Sequence, residues 1–64
     1  MDDAEAFASL YQREGEPVLV FLSRRTLDVE VAMDLTAETF AVALGSWRQL
    51  RSLAPEQARA WLFT

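Results

Sequence analysis

Apolar residues recur along this chain at helical spacing, and no stretch shows the strict alternation of a half-buried strand. In the first segment Phe7, Leu10, Tyr11, Val18, Phe21 and Leu22 fall within roughly 60° either side of Phe7 at 100° per residue. Asp2 and Asp3 are both suitable N-cap residues, and their charge suits a helix N-terminus. The apolar phase is kept across Gly15-Glu16-Pro17, which predicts one long helix over residues 3–25. A kink is expected at Pro17, which lacks the N–H that would bond the carbonyl of Arg13. A break at Glu16, with Pro17 opening a separate helix, also satisfies the local rules.

A second helix is predicted over residues 29–45, with Asp28 as N-cap and Gly45 suited to a left-handed C′ position. Trp47 stays in phase with Val29 and Phe40, so the helix can fray onward to it. Residues 46–54 are expected to be a loop. Pro55 then suits the first turn of a third helix over residues 55–64, with Ala58, Trp61 and Leu62 as its apolar face. Nine or ten residues are too few for a helix to hold alone. The expected architecture is therefore an all-α, three-helix fragment: a long kinked helix, a second helix and a short truncated third, in a single domain over residues 1–64. Trp47, Trp61, Tyr11 and the phenylalanines are expected in or against the core.

The second helix carries an unusual charge pattern. Within Asp28–Leu44 (DVEVAMDLTAETFAVAL), Glu30, Asp34 and Glu38 follow the N-cap at four-residue steps and form a strip roughly 80° wide. Nearly everything around them is apolar. Like charges at i,i+4 oppose helix formation by about 0.2–0.5 kcal/mol per pair, so the strip persists against a small local cost. It is the best candidate for a surface that a partner reads.

Composition narrows the chemistry. The chain has no cysteine, histidine or lysine, which removes thiolate metal sites, the commonest general base and the Schiff-base amine. With only Gly15 and Gly45, no glycine-rich loop can cradle phosphate, and no nucleophile stands with a base. An enzyme is not expected, nor a cofactor or metal. Arg13, Arg24, Arg25, Arg48, Arg51 and Arg59 supply every positive charge against ten acids, for a net charge of −4. Such a chain is a poor free-standing nucleic-acid binder. Arg24 and Arg25 read most simply as complementing the dipole at the first helix's C-terminus. The longest apolar run, Val18–Leu22, is far too short to span a bilayer, and the acidic start is wrong for a secretory signal, so a cytoplasmic protein is expected.

The pattern D-x-E-x-A-x-D-L-T-A-E-T-F-A-x-A-L over Asp28–Leu44 resembles the second conserved region of bacterial RNA polymerase sigma factors of the extracytoplasmic-function class. Phe7…Leu10-Tyr11-Gln12-Arg13…Val18…Phe21-Leu22-Ser23-Arg24-Arg25-Thr26 is similar to the preceding helix of that region. Ala58-Arg59-Ala60-Trp61-Leu62-Phe63 is similar to the start of the helix that follows. The three pieces occur in order over residues 5–64.

The resemblance implies a partial sigma domain that docks on core RNA polymerase through a coiled coil in the clamp of the largest subunit. Asp34, Leu35 and Glu38, with Glu30 beside them, fall where the family makes those contacts. Ala37 stands where a glutamine is typical and Met33 where an acid is typical, and both departures remove polar contacts. By the same analogy Arg48, Arg51, Arg59 and Phe63 are candidate DNA contacts. Promoter recognition and melting of the minus-ten element would belong to the intact protein. An anti-sigma factor is a further implied partner. The competing reading is a stand-alone helical interaction module, including a homodimer that covers the apolar surface a missing helix would leave.

Overall fold

Asp2 opens the fold: its Oδ1 accepts the N–H of Glu5 at 2.8 Å. With the N-terminus capped, α1 (Asp3–Thr26) runs for 24 residues. Asp3 and Glu5 lie in its first turn and Arg24 and Arg25 in its last, as the helix dipole favours. The computed structural model describes residues 2–63, all helix and short connections. α2 (Val29–Gly45), α3 (Trp47–Leu50) and α4 (Pro55–Leu62) follow. The all-α class is as the sequence predicts. The terminal residue of the helix expected over 55–64 lies outside the described residues, and Phe63 already caps α4.

Pro17 does not break α1. Glu14 and Val18, on either side of it, are both buried, at 3% and 1% exposure. Tertiary packing thus holds the two halves of the helix in phase across the missing hydrogen bond. Separate helices meeting at Glu16 are not formed.

The turn between α1 and α2 is made by Leu27, not by a glycine. Leu27 adopts the left-handed conformation (φ 57°, ψ 27°) and its N–H reaches the carbonyl of Ser23 at 2.9 Å. That bond satisfies one of the last four carbonyls of α1, and Thr26 Oγ1 donates in addition to the carbonyl of Leu22 at 2.8 Å. Asp28 caps α2 as expected, its Oδ1 accepting from Glu30 N at 3.0 Å and Val31 N at 3.2 Å. The expectation for Gly45 is corrected. No glycine has positive φ; Gly45 ends α2 helically, and Ser46 (φ −104°) caps it. The chain turns through Ser46 straight into α3, which leaves no residue free for a left-handed reversal.

The short α3 corrects the expected loop over residues 46–54. Trp47 and Leu50, three residues apart, both face the core, and Leu50 is 2% exposed. One turn of helix does not persist alone, so this one exists because its apolar side is packed. Ala54 and Pro55 then open α4, where Gln57 Oε1 accepts the N–H of Ala54 at 3.0 Å.

The core joins Leu10 and Val18 of α1, Phe40 and Ala43 of α2, Leu50 of α3, and Ala58 and Leu62 of α4. Phe7, Leu22, Trp47, Leu53, Trp61 and Phe63 pack around it, so both tryptophans sit against the core and are only partly buried. The expectation is corrected for Tyr11, 53% exposed, and for Phe21, neither of which joins the core. Phe40 meets Phe7 edge-on at 6.4 Å and Tyr11 at 4.9 Å, and Phe7 meets Trp47 at 5.5 Å. Among the described residues, no helix is long and apolar enough to cross a membrane.

Two stability outcomes follow. Leu50→Ala should cost about 2–5 kcal/mol, enough to unfold most of a domain this small in urea melts followed by circular dichroism. Leu27→Gly should instead stabilise by about 0.5–1 kcal/mol in the same melts, because glycine occupies the left-handed region without a Cβ clash.

Candidate functional site

α2 buries one side only. Ala32, Thr36, Phe40 and Ala43 face the core, and Thr36 Oγ1 satisfies itself on the carbonyl of Ala32 at 2.7 Å. Glu30, Asp34 and Glu38 are exposed, roughly 165° around the helix from that buried side. None of the three has an ion-pair partner among the described residues. Leu35 is partly buried on the flank.

The surroundings of these carboxylates are more telling than the charges. Met33 and Leu44 border them on one edge and Val31 and Val42 on the other. Met33, Val42 and Leu44 are 56%, 59% and 58% exposed. At the N-terminal end Val29 is exposed and Leu27 is 89% exposed, in its left-handed conformation. A helix apolar almost all round is ordinarily buried almost all round. Here half of that surface faces solvent. An open groove of about 750 Å³ between α1 and α2, lined by Tyr11, Gly15, Leu19, Val20, Met33 and Thr36, continues the apolar surface.

The candidate DNA contacts do not share one surface. Arg51, in the turn after α3, pairs with Asp3 at 3.2 Å, and both side chains are more than half exposed, so the bridge contributes little. Arg48 is exposed on α3. Arg59 and Phe63 lie instead along a groove of about 740 Å³ between α1 and α4, whose lining includes neither Arg48 nor Arg51. There they join Arg13, Arg24, Arg25 and Phe21. The Phe21 and Phe63 rings meet edge-on at 5.0 Å, with Arg25 over Phe21 at 5.1 Å and Arg59 over Phe63 at 5.7 Å.

Behind this groove lies a buried carboxylate. Glu14 has a side chain 4% exposed, its Oε2 taking Arg13 Nε at 3.0 Å and its Oε1 facing Arg59 Nε at 3.3 Å. The second contact misses hydrogen-bond alignment and leaves Oε1 without a hydrogen bond. The pair ties α4 to α1 while its arginines stay about half in water.

Two signals for these residues were present in the sequence. Glu14 stands seven residues after Phe7 and four after Leu10, an acid in the middle of an apolar face. Arg13, Pro17, Phe21 and Arg24 follow at steps of four, four and three, so they share one flank of α1. Arg24 and Arg25 read most simply as complements of the helix dipole, with a contact to DNA or polymerase as the alternative, and neither reading joins them to Arg13 and Phe21. Among the described residues no group of three His, Cys, Asp or Glu is placed to hold a metal ion. No protein-family model, curated protein or solved structure matches the chain.

The geometry around Glu14 makes a paired prediction for urea melts. Glu14→Met should be neutral or stabilising, because it removes an under-satisfied buried charge and leaves the arginines solvated. Arg59→Ala should cost about 1–2 kcal/mol, because the carboxylate stays buried with one partner fewer.

Proposed function

We propose that this chain is a docking domain of the sigma region 2 type, which presents α2 to a helical, arginine- or lysine-bearing surface on core RNA polymerase. The observation that carries the reading is the exposed face of α2: three unpaired carboxylates at four-residue steps, bordered on both edges by solvent-exposed Val31, Met33, Val42 and Leu44. The partner proposed is the clamp coiled coil of the largest subunit, in the cytoplasm.

The two kinds of group do different work in such a contact. Carboxylates on a ridge steer a basic partner and set the register in which the helices meet. The bordering aliphatic groups supply burial. Covering the exposed parts of four such side chains is worth on the order of 3–5 kcal/mol gross, before the cost of association. Leu27 strengthens the reading. It is 89% exposed at the N-terminal end of α2 and adds apolar surface that a partner can cover. In the intact protein the same domain would recognise and melt the promoter minus-ten element, with Arg59 and Phe63 on the side of the α1–α4 groove.

Docking is tested by retention of core polymerase on the immobilised chain. The wild type should retain it, and Asp34→Arg/Glu38→Arg should weaken retention at least about tenfold with the circular dichroism spectrum unchanged. Equal retention by both proteins would sink the proposal.

A further inference from the structure

The chain segregates its unpaired charge into two surfaces that match each other. Glu30, Asp34 and Glu38 on α2 lack cationic partners among the described residues, and so do Arg24 and Arg25 find no carboxylate there. The α1–α4 groove carries four of the six arginines against Glu14 and Glu16, so it is net positive on a chain of net charge −4. Its floor is aromatic, from Phe21 and Phe63, with Val20 on the rim.

Lengths agree as well. From Glu30 to Glu38 the stripe rises about 12 Å, and from Arg13 to Arg24 the groove runs about 16 Å along α1, at 1.5 Å per residue. The stripe is therefore short enough to lie within the groove, where Arg24 and Arg25 are the guanidinium groups not already facing Glu14. In a contact between the two surfaces, Val31 and Val42 on one edge of the stripe, or Met33 on the other, would be the groups available to cover the phenylalanine rings. Within one molecule the stripe faces away from the core on α2 while the groove lies between α1 and α4, so neither can satisfy the other in the same copy.

We propose that the occupant of the arginine–phenylalanine groove is the α2 stripe of a second copy of this chain. The contact is heterologous: one copy contributes its stripe, the next its groove, and each keeps one surface open. Such association occupies the stripe and so competes with any other partner that docks there. The proposal stands on the free chain alone. Polymerase retention and self-association can each fail without the other.

The test is an analytical ultracentrifugation series at low ionic strength, where such contacts are least screened. The wild type should show a weight-average mass that climbs above the 7.2 kDa of one chain with concentration and falls back in high salt. A stripe variant, Asp34→Arg/Glu38→Arg, and a groove variant, Arg24→Glu/Arg25→Glu, should each associate at least about tenfold more weakly. The stripe variant mixed with an Arg24→Gln/Arg25→Gln groove variant should form a one-to-one complex, because only the intact stripe of one and the intact groove of the other remain complementary. Arg13 and Arg59 are left untouched because they hold Glu14. Arg24→Gln/Arg25→Gln serves as a second groove variant that places no acid at the helix C-terminus. A monomeric wild type at every concentration would overturn the proposal, as would a mixture that stays monomeric. Undiminished association of both single-surface variants would also overturn it, by assigning the contact to the apolar borders alone.

Discussion

The packing of α1 against α2 depends most on Phe40, a core ring that meets Phe7 and the half-exposed Tyr11 edge-on. Phe40 is 4% exposed and lies toward the C-terminal end of the buried side of α2, while its two partners lie four residues apart on α1. Phe7 then passes the contact to Trp47 of α3. Large aromatic side chains bury more surface per residue than any others, which matters most where a short chain has little surface to bury. With Leu27-Asp28 as the whole connection, α1 has to fold back along α2, and the ring cluster sets where along their lengths they meet. The small residues Ala32 and Ala43, both fully buried, let the backbones approach beside it.

That packing has a consequence for α2. A single helix partner covers only one side, and the short α3 and α4 reach only its margins. The remaining surface is apolar with three carboxylates on it, and none of the described residues covers it. The charge repulsion along the stripe, the exposed valines and Met33, and the left-handed Leu27 are each unfavourable for the isolated chain. The carboxylates, Val31, Met33, Val42 and Leu44 share one side of α2, and Leu27 lies at its N-terminal end. Features that weaken a monomer and cluster on one face are those expected of a contact surface.

The opposite economy operates between α1 and α4. Glu14 occupies a core position and is held by arginines from both helices, so a buried charge takes over part of what apolar packing would do at an eight-residue helix. A buried pair is a weak source of stability but a selective one. It requires α4 to lie with Arg59 over the α1 flank, and that placement brings Phe63 against Phe21. The arginine–phenylalanine groove is thus a by-product of how the last helix is anchored.

Much of this was legible in the residues. The spacing of apolar positions located α1, α2 and the start of α4 to within a residue or so. Asp28 announced its cap, because an N-cap needs only a side-chain oxygen in the right place, while for α1 Asp2 and Asp3 were equal candidates and the structure uses Asp2. The stripe was legible for the same reason, since residues four apart share a helix face in any fold. What escaped were features with no local cause. Continuity through Pro17 depends on Glu14 and Val18 being gripped from outside the helix. The left-handed turn fell to Leu27 because a two-residue connection demanded it, while Gly45, better suited by type, was carried straight on into α3. That single turn of helix exists only because Trp47 and Leu50 find a core to enter. Arg59 and Phe63 were identifiable singly, but their separation from Arg48 and Arg51, and their union with Arg13, Arg24, Arg25 and Phe21, needed the angle at which α4 crosses α1. Helix, cap and face are properties of neighbours in the chain and are written there. Which faces are covered, and which distant charges come to share a groove, depends on contacts between segments, and only the packed structure decides them.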